Sequence, residues 1–290
     1  MTWRIVSICK TCKLDLKLNY MVIRDEELRR IHLSEIAVLI IENTAVSITA
    51  ALLCELSNRK VKIIFCDEKR NPYGEIVSHH GSHDSTDKLR NQISWDKDIR
   101  GIVWKEIVMK KIYMQYRLLE KFGHSEQASL LKSYIENVEP NDSTNREGHA
   151  AKVYFNALFG MNFSRRVDSP INSCLNYGYA ILLSAFNREI SISGYFTQLG
   201  IFHDNMFNPF NLGSDLMEPF RPIIDECVID MSPVDIGPEE KMRLVDLLNK
   251  KVIINNKENY LINAIRIYCN SIFDAINNLD INLLRFYNEV

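Results

Sequence analysis

The hydrophobic pattern of residues 1–75 has a period of two, which is typical of β-strands. In residues 14–19 leucines alternate with polar side chains, as expected of a strand with one buried face. The β-branched runs at 36–41 and 61–65 predict buried strands, and residues 44–56 between them predict one helix. The pattern therefore predicts a small, strand-rich N-terminal β domain.

From residue 96 onward, apolar positions recur every three or four residues, the spacing of amphipathic helices. Small and apolar side chains lie on nearly all sides of the segment 170–187, which indicates a central, buried helix. The region 96–290 is therefore predicted to be a larger, all-helical C-terminal domain with a loosely packed tail, and the fold class is α+β. The segments with helical spacing are 99–122, 125–138, 144–159, 170–187, 214–228, 238–250 and 258–278.

Residues 76–95 join the two patterns and are interpreted as a linker, because most of them are polar. The stretch contains His79, His80 and His83, which could suggest a metal-binding tract. Ordering three ligands on an exposed loop costs conformational entropy, so the sequence favours a solvated linker.

The net charge of -2 and the pI of about 6.4 exclude a strong overall attraction to nucleic acid or to anionic membranes. A polyanion would have to meet local basic patches, or a surface created by oligomerisation.

Seven cysteines without regular spacing do not indicate a disulfide framework, and the N-terminus lacks the regions of a signal peptide. The apolar span 36–56 contains Glu42, Asn43 and Glu55, which make it too polar for a bilayer core. We therefore expect a cytoplasmic protein with no membrane partner.

Glu147 occupies a position where its helix is expected to carry an apolar residue. It shares a face with Tyr154 and Leu158, the stripe that should turn into the protein. Thr144-x-x-Glu147 also fits a capping box, in which Glu147 only reaches back to the amide of Thr144. An inward-facing acid and a cap are both open interpretations.

His203 and Glu218 are two further side chains that are able to bind a metal together with Glu147. Two carboxylates and one imidazole suit a divalent ion with open positions, typically Mg²⁺ or Mn²⁺. Such an ion can polarise a phosphodiester and activate water or a 3′ hydroxyl. Alternatively, His203 is a solvated loop residue or a partner of Asp204, and Glu218 is an acid stabilised by the helix dipole.

Three short sequence segments, called strings here, contain Glu147, His203 and Glu218 in turn. They are Asn-Arg-Glu-Gly-His-Ala-Ala-Lys-Val-Tyr-Phe at 145–155, Leu-Gly-Ile-Phe-His-Asp-Asn at 199–205, and Asp-Leu-Met-Glu-Pro-Phe-Arg-Pro at 215–222. Together they resemble the signature segments of the CRISPR adaptation integrases, which insert new spacers into CRISPR arrays. The resemblance covers the whole chain, and the strings at 3–7 and 14–18 look most similar to the type II-A branch.

The resemblance implies that Glu147, His203 and Glu218 are the catalytic residues and the ligands of Mg²⁺ or Mn²⁺. Many relatives have Asp at the third position, and Glu218, one methylene longer, is expected to keep the oxygen ligand. The implied activity is that of a metal-dependent DNA endonuclease and integrase. A 3′ hydroxyl attacks a phosphodiester of the repeat by transesterification, and the helical domain is the catalytic one.

The resemblance also implies partners. The protein would form a homodimer, with dimerisation assigned to the strand-rich domain 1–75. Two dimers would clamp a dimer of the smaller adaptation protein in a heterohexamer-like complex. The DNA partners would be a double-stranded spacer precursor with 3′ overhangs and the leader-repeat junction. In the type II-A branch, other adaptation proteins and the effector nuclease are further candidates.

Basic residues near the three strings are candidate DNA contacts, since lysine, arginine and histidine side chains meet DNA phosphates. The alternative for each is a solvated surface charge. The candidates are Arg146, His149, Lys152, Arg165, Arg166 and Arg221.

Two other functions use the same features. A non-catalytic DNA-binding scaffold would keep the acids as helix caps, and its DNA binding would not depend on metal. A general repair nuclease for branched DNA would share the site, but it would show no preference for the repeat.

Overall fold

The structure is a computed structural model that describes residues 4–76 and 84–289. Its N-terminal part consists of short strands and one helix. These elements are β1 (Arg4–Ile8), β2 (Lys13–Lys17), β3 (Tyr20–Arg24), β4 (Leu28–His32), β5 (Ile36–Ile41), β6 (Ser47–Ile48), α1 (Ala50–Asn58), β7 (Lys62–Cys66) and β8 (Pro72–Ile76).

The strands of the N-terminal part form two sheets that share one apolar core with α1. The first sheet has the strand order β1-β5-β7-β8, in which β1, β5 and β7 are parallel and β8 is antiparallel to β7. The second sheet has the order β4-β3-β2-β6 and is antiparallel except for the parallel pair of β2 and β6. The prediction of a strand-rich N-terminal part is confirmed.

Every residue of β5 is buried, as its β-branched sequence predicted. Leu39 and Ile41 belong to the core of the N-terminal part, whereas Val38 and Ile40 belong to the core of the helical part. Protein therefore covers both faces of this strand, which explains why its sequence shows no alternation of apolar and polar residues.

The helix predicted at 44–56 begins later than expected, because the segment first extends a sheet as β6. The amide of Ser47 donates to the carbonyl of Cys12, and the amide of Thr49 donates to the carbonyl of Leu14. The segment continues the ladder of β2 before α1 begins, in keeping with the preference of β-branched residues for strands.

The C-terminal part is dominated by helices, and the predicted α+β class is confirmed. Its elements are α2 (Ser85–Ile93), α3 (Lys97–Lys121), α4 (Ser125–Ile135), α5 (Arg146–Phe159), α6 (Pro170–Ile192), α7 (Asn211–Met217), α8 (Arg221–Met231), α9 (Pro238–Asp246), β9 (Lys251–Ile254), β10 (Lys257–Tyr260), α10 (Leu261–Asn277) and β11 (Asn288–Glu289).

The helix predicted to be central, α6, lies between the two parts of the chain. It packs against α7, α8, α9 and α10 and also against β7 and β8. The Nε atom of Arg188 donates to the carbonyl of Lys60 at 2.9 Å. The hydroxyl of Ser184 on α6 donates to Glu75 of β8 at 3.5 Å, and Glu75 also forms an ion pair of 2.5 Å with Lys62 of β7. Polar contacts thus join the first sheet to the helical part.

The C-terminal part also contains a small antiparallel sheet, so the prediction of an all-helical domain is wrong in this detail. The helix predicted at 238–250 ends at Asp246, and the helix predicted at 258–278 begins at Leu261. A hairpin of β9 and β10 lies between them. Asn255 and Asn256 form its turn with φ angles of 52° and 57°. Asparagine tolerates this left-handed conformation, which two-residue hairpins require.

The chain end is held against the protein, contrary to the predicted loose tail. β11 pairs with β9, and Tyr287 is fully buried. Its hydroxyl donates to the carbonyl of Pro219 at 3.0 Å, next to the segment that carries Glu218.

Part of the predicted linker 76–95 is helical. Residues 85–93 form α2, and the side chain of Gln92 is buried against the C-terminal part. His79, His80 and His83 lie outside the described residues. The domain boundaries themselves stay a prediction.

None of the helices in residues 4–76 and 84–289 is both long and apolar enough to span a membrane. All seven cysteines are free thiols. Burial raises the pKa of Cys9 and of Cys12, which leaves these two thiols less reactive than an exposed cysteine.

Candidate active site

Glu147 lies in the first turn of α5, and a different acid caps that helix. The amides of Arg146 and Glu147 donate to Asp142 at 2.8 Å and 3.0 Å. The hydroxyl of Thr144 donates instead to the carbonyl of Asn137 at 3.2 Å. The capping box proposed for Thr144 and Glu147 is therefore wrong. Because Asp142 satisfies the start of the helix, the carboxylate of Glu147 is left to another partner.

That partner is Lys111, whose ammonium group lies between the carboxylates of Glu147 and Glu218. The Nζ atom is 2.6 Å from Oε1 of Glu147 and 2.5 Å from Oε2 of Glu218. Burial lowers the pKa of Lys111, but the two carboxylates outweigh burial and raise it. Lys111 therefore stays charged and joins α3 to both acids.

A break between α7 and α8 positions Glu218. Pro219 and Pro222 lack amide hydrogens, so the chain passes through a 3₁₀ turn at Glu218–Phe220 before α8 begins. The two prolines thus distort the helical segment at this point. This distortion leaves Glu218 only 5% exposed and directed at its two cationic partners.

Each oxygen of the Glu218 carboxylate meets a different cation. Oε1 accepts a hydrogen bond from Nε of Arg221 at 2.9 Å. Oε2 has no hydrogen bond of suitable angle, and its 2.5 Å contact with Lys111 is an ion pair. Burial raises the pKa of Glu218, but Arg221 and Lys111 more than compensate and lower it. The carboxylate is therefore ionised.

His203 is held in its loop by Asp215, which is fully buried. The carboxylate of Asp215 accepts hydrogen bonds from the amides of Ile201 at 2.7 Å and Phe202 at 2.9 Å, and also from the amide of His203. It also bonds Nδ1 of the His203 ring. With Nδ1 engaged, Nε2 is the nitrogen left for a ligand, an arrangement common around metal-binding histidines.

The loop that carries His203 is fastened to α2 and α3 by polar side chains. Gln92 donates to the carbonyls of Phe196 at 2.9 Å and Leu199 at 2.8 Å. Arg100 donates to the carbonyl of Ile201 at 2.7 Å and 3.0 Å. These contacts fix the backbone of the loop before it reaches the histidine.

Gly200 allows the loop to fold tightly over Asp215. A Cβ atom at this position would lie 2.3 Å from the carbonyl oxygen of His203 and 2.7 Å from Oδ2 of Asp215. The ring of Trp104 stacks on Phe202, with centroids 4.6 Å apart, and meets the edge of His203. The glycine in the second signature string thus has a packing reason.

The three predicted site residues converge on one region of the helical part. Asp215 raises the pKa of His203, burial opposes this, and the charges of Glu147 and Glu218 raise it further, which places both acids near the ring. In the described part of the chain, however, no three His, Cys, Asp or Glu side chains lie close enough to hold a metal. Lys111 stands between the two carboxylates.

The donor set nevertheless fits a divalent ion. Two ionised carboxylates already converge on one cationic group, and Oε2 of Glu218 has no hydrogen bond other than this ionic contact. Carboxylate oxygens with one imidazole nitrogen are ligands that Mg²⁺ and Mn²⁺ accept. Glu147, Glu218 and His203 are therefore the residues that would hold such an ion.

The model of the family described as "CRISPR associated protein Cas1" matches residues 8–236, which include Glu147, His203 and Glu218. The chain belongs to the Cas1 family. It is 34% identical over 263 residues to the CRISPR-associated endonuclease Cas1 of Neisseria meningitidis serogroup C, covering 89% of this chain and 86% of that relative. The predicted family is confirmed, while the assignment to the type II-A branch stays a prediction.

Two solved structures share the Cas1 fold seen here. A casposase bound to integration product has a TM-score of 0.76 at 20% identity, covering 97% of this chain and 92% of that one. A chain of a Cas6-RT-Cas1–Cas2 complex has a TM-score of 0.74 at 17% identity. The match covers 97% of this chain but only 36% of that longer one.

Three of the basic residues predicted to contact DNA have partners within this Cas1-family chain. The guanidinium of Arg146 lies 5.6 Å from the ring centre of Tyr134. Those of Arg165 and Arg221 lie 5.4 Å and 4.6 Å from the ring centre of Tyr179. Arg221 also donates a hydrogen bond to Glu218 of the site. Contact of these three arginines with DNA stays a prediction.

The other three candidates are exposed. His149 and Lys152 project from α5, and Arg166 lies in the loop between α5 and α6. Their accessibility permits contact with a phosphate backbone, but their role also stays a prediction.

Sequence reasoning missed Lys111 as part of the site. Lys111 follows Trp104, Ile107 and Val108 at helical spacing on the buried face of α3. A lysine on an apolar stripe needs an acidic partner, and that signal was available. Asp215 begins the third signature string, but its bonds to residues 201–203 depend on the fold and were not predicted.

Proposed function

We propose that the chain is a metal-dependent DNA endonuclease and integrase that inserts spacer DNA into a CRISPR array. The observation that carries the proposal is the convergence of Glu147 and Glu218 on one cation, with His203 beside them. Membership of the Cas1 family supports the endonuclease and integrase assignment. The reaction is attack of a DNA 3′ hydroxyl on a phosphodiester of the repeat, with release of the 3′ hydroxyl of the cleaved strand.

The side chains divide the work of this site. Glu147 and Glu218 would provide oxygen ligands and His203 would provide Nε2, while Asp215 fixes the orientation of the His203 ring. Arg221 keeps one oxygen of Glu218 in place. When bound, Mg²⁺ or Mn²⁺ supplies Lewis acidity for the phosphodiester and for the attacking hydroxyl.

Two solved structures support the proposed partners. The casposase is described as bound to an integration product, and the other neighbour is a Cas1–Cas2 complex. We propose that this chain acts as a cytoplasmic homodimer that assembles with a Cas2-type protein on duplex DNA with 3′ overhangs. A surface shared by several chains would also explain how a protein with a net charge of -2 binds DNA.

Disintegration of a branched DNA tests the site directly. The purified chain should resolve the branch in Mg²⁺ or Mn²⁺, and Glu147→Ala and His203→Ala should lose this activity. Glu136→Ala, which changes an exposed acid at the end of α4, is the matched control and should remain active. Undiminished turnover by either site variant would exclude the assigned residues.

Assembly with a Cas2-type protein separates the proposed function from a general branched-DNA nuclease. The complex should join a spacer precursor to a leader-repeat junction in preference to unrelated duplex DNA. Equal use of both targets would favour a repair nuclease. Metal-independent DNA binding without strand transfer would favour a scaffold.

A further inference from the structure

Lys111 is a charged side chain placed where the proposed divalent ion has its two acidic ligands. Its Nζ atom contacts Glu147 at 2.6 Å and Glu218 at 2.5 Å, and the side chain is only 9% exposed. An ion that bound both of these oxygen atoms would need the space between them that the ammonium group occupies. The arrangement raises the question of what happens to Lys111 when metal binds.

We infer that Lys111 is a built-in competitor of the divalent ion, which holds the two acids together without metal and leaves at least one of them when metal binds. The inference rests on the proposed metal-dependent function and assigns Lys111 as a positioning residue. It adds a residue on α3 to a site otherwise formed by α5, the His203 loop and the turn before α8.

The two cations on Glu218 differ in a way that favours displacement of Lys111. Arg221 donates a hydrogen bond to Oε1 and lies 4.6 Å from the ring centre of Tyr179, so two contacts hold it. Lys111 makes an ion pair with Oε2, which has no hydrogen bond of suitable angle, and donates its hydrogen bond to Glu147 instead. Lysine also carries a point charge on a flexible stem, whereas the guanidinium group is planar and rigid.

The positions of the cations point the same way. Arg221 contacts Glu218, whereas Lys111 contacts both Glu147 and Glu218. A divalent ion that takes the place of the ammonium group would keep a positive charge beside both acids. The ammonium released from the carboxylates would remain inside the site, where a DNA phosphate offers a new partner for its charge.

The test compares Mn²⁺ binding by the full-length wild type, Lys111→Met and Lys111→Arg, using titration calorimetry without DNA. Methionine keeps the approximate length of the side chain and removes the charge. Because it removes a competing charge, Lys111→Met should bind Mn²⁺ about tenfold more tightly or better. Lys111→Arg keeps the charge and should bind no more tightly than wild type.

Lys121→Met is the matched control on the same helix. Lys121 pairs with Glu226 rather than with the site acids, so its removal should leave Mn²⁺ affinity unchanged. Glu147→Gln should weaken Mn²⁺ binding in both the wild-type and the Lys111→Met backgrounds, which shows that the ion measured is bound at this site.

Thermal unfolding with and without Mn²⁺ gives a second readout. Without metal, Lys111→Met leaves two acids facing each other and should have a lower Tm than wild type. Added Mn²⁺ should restore most of that loss and produce a larger upward shift of Tm than in wild type. If Lys111 is needed equally with and without Mn²⁺, the Tm of Lys111→Met will stay below that of wild type after Mn²⁺ is added. This outcome would overturn the inference.

The outcomes separate this inference from the proposed function. If wild type binds Mn²⁺ and Lys111→Met binds it with equal or lower affinity, the competition is wrong and the metal site stands. If neither protein binds Mn²⁺, the competition by Lys111 and the proposed metal site are both wrong. If only Lys111→Met binds Mn²⁺, the competition is supported in its strongest form.

Discussion

Two clusters of polar side chains join α5 to the segment that contains Glu218 and α8. The first cluster has two carboxylates and the second has one. Glu147 and Tyr154 are seven residues apart on α5, and Glu218 and Asp225 are seven residues apart on the segment that continues into α8. At one end, Lys111 bridges Glu147 and Glu218. Two turns further along, Asp225 meets Tyr154 instead of a second acid.

The second cluster is closed to solvent and fully satisfied. The hydroxyl of Tyr154 donates to Asp225 at 2.8 Å, and that of Tyr179 donates to its other oxygen. Asp225 is 1% exposed, whereas the side chain of Glu147 is 21% exposed. Both clusters lock α5 to α8, but only the first has a partly exposed acid and a lysine between two carboxylates. Chemistry is therefore expected at the first cluster and structural stability from the second.

The largest expected effect separates the clusters by activity. Glu147→Gln should lower the rate of disintegration by about 100-fold or more, since loss of even an outer-shell partner of a metal costs about 10- to 100-fold. Tyr154→Phe, two turns along the same helix, should retain a rate close to wild type. Equal losses in the two variants would show that α5 acts as one structural unit and would break the comparison.

The second prediction concerns the pH dependence of stability. Burial raises the pKa of Asp225 to about 6, although the two tyrosine hydroxyls, Arg221 and Arg165 oppose it. The folded protein then holds this proton more tightly than the unfolded chain, so the contribution of Asp225 is fully present below pH 4 and is lost as pH rises through 6. A shift of about two units corresponds to about 3 kcal/mol.

Asp225→Asn isolates that contribution. The difference in the free energy of unfolding between wild type and variant should change by about 3 kcal/mol between pH 4 and pH 7, with the variant gaining relative to wild type as pH rises. Denaturant titration at several pH values measures it. A difference that does not vary with pH would mean that Asp225 is as ionised in the folded protein as in the unfolded chain.

The third prediction concerns the loop that serves only the first cluster. Gly200→Ala would place a Cβ atom 2.3 Å from the carbonyl of His203, so the loop must shift. Disintegration should fall by about 10- to 100-fold, the loss typical of disturbing the support of a metal ligand. The pH dependence assigned to Asp225 should persist in this variant.

Gly74→Ala is the control for this change, because a Cβ atom there would have no neighbour within 4 Å. It should retain wild-type activity. If Gly200→Ala is equally active, the tight fold of the loop over Asp215 is not needed to position His203.

The smallest expected effect is the stability of Tyr154→Phe. Removing this hydroxyl takes one hydrogen bond from a buried carboxylate and should lower the free energy of unfolding by about 1 to 3 kcal/mol. Chemical denaturation at pH 7 measures the loss. A variant as stable as wild type would show that Tyr179 alone satisfies Asp225.

The sequence pattern was sufficient for features in which local periodicity and tertiary packing agree. The β-branched run of β5 is buried on both faces, and the nearly all-round apolar helix α6 is central. Glu147 was predicted to be carried inward with the apolar stripe of α5, and it meets a buried lysine there. These predictions required no knowledge of which residues pack against each strand or helix.

The remaining details depend on contacts that are distant in sequence or on unusual backbone angles. Asp142 caps α5 from a φ angle of 47°, a conformation that the Thr144-x-x-Glu147 spacing did not reveal. Asn255 and Asn256 did carry a local hairpin signal, but the helical spacing on either side obscured it. The bridge from Lys111 joins residues that only the packing of α3 brings together.

The most direct test of the central claim is the location of a bound ion in crystals of the wild-type protein grown with Mn²⁺. The anomalous difference map should show Mn²⁺ between the carboxylates of Glu147 and Glu218, with Nε2 of His203 as a ligand and Lys111 moved from at least one acid. A fully occupied Mn²⁺ site elsewhere, with Lys111 still bridging both acids, would contradict the account.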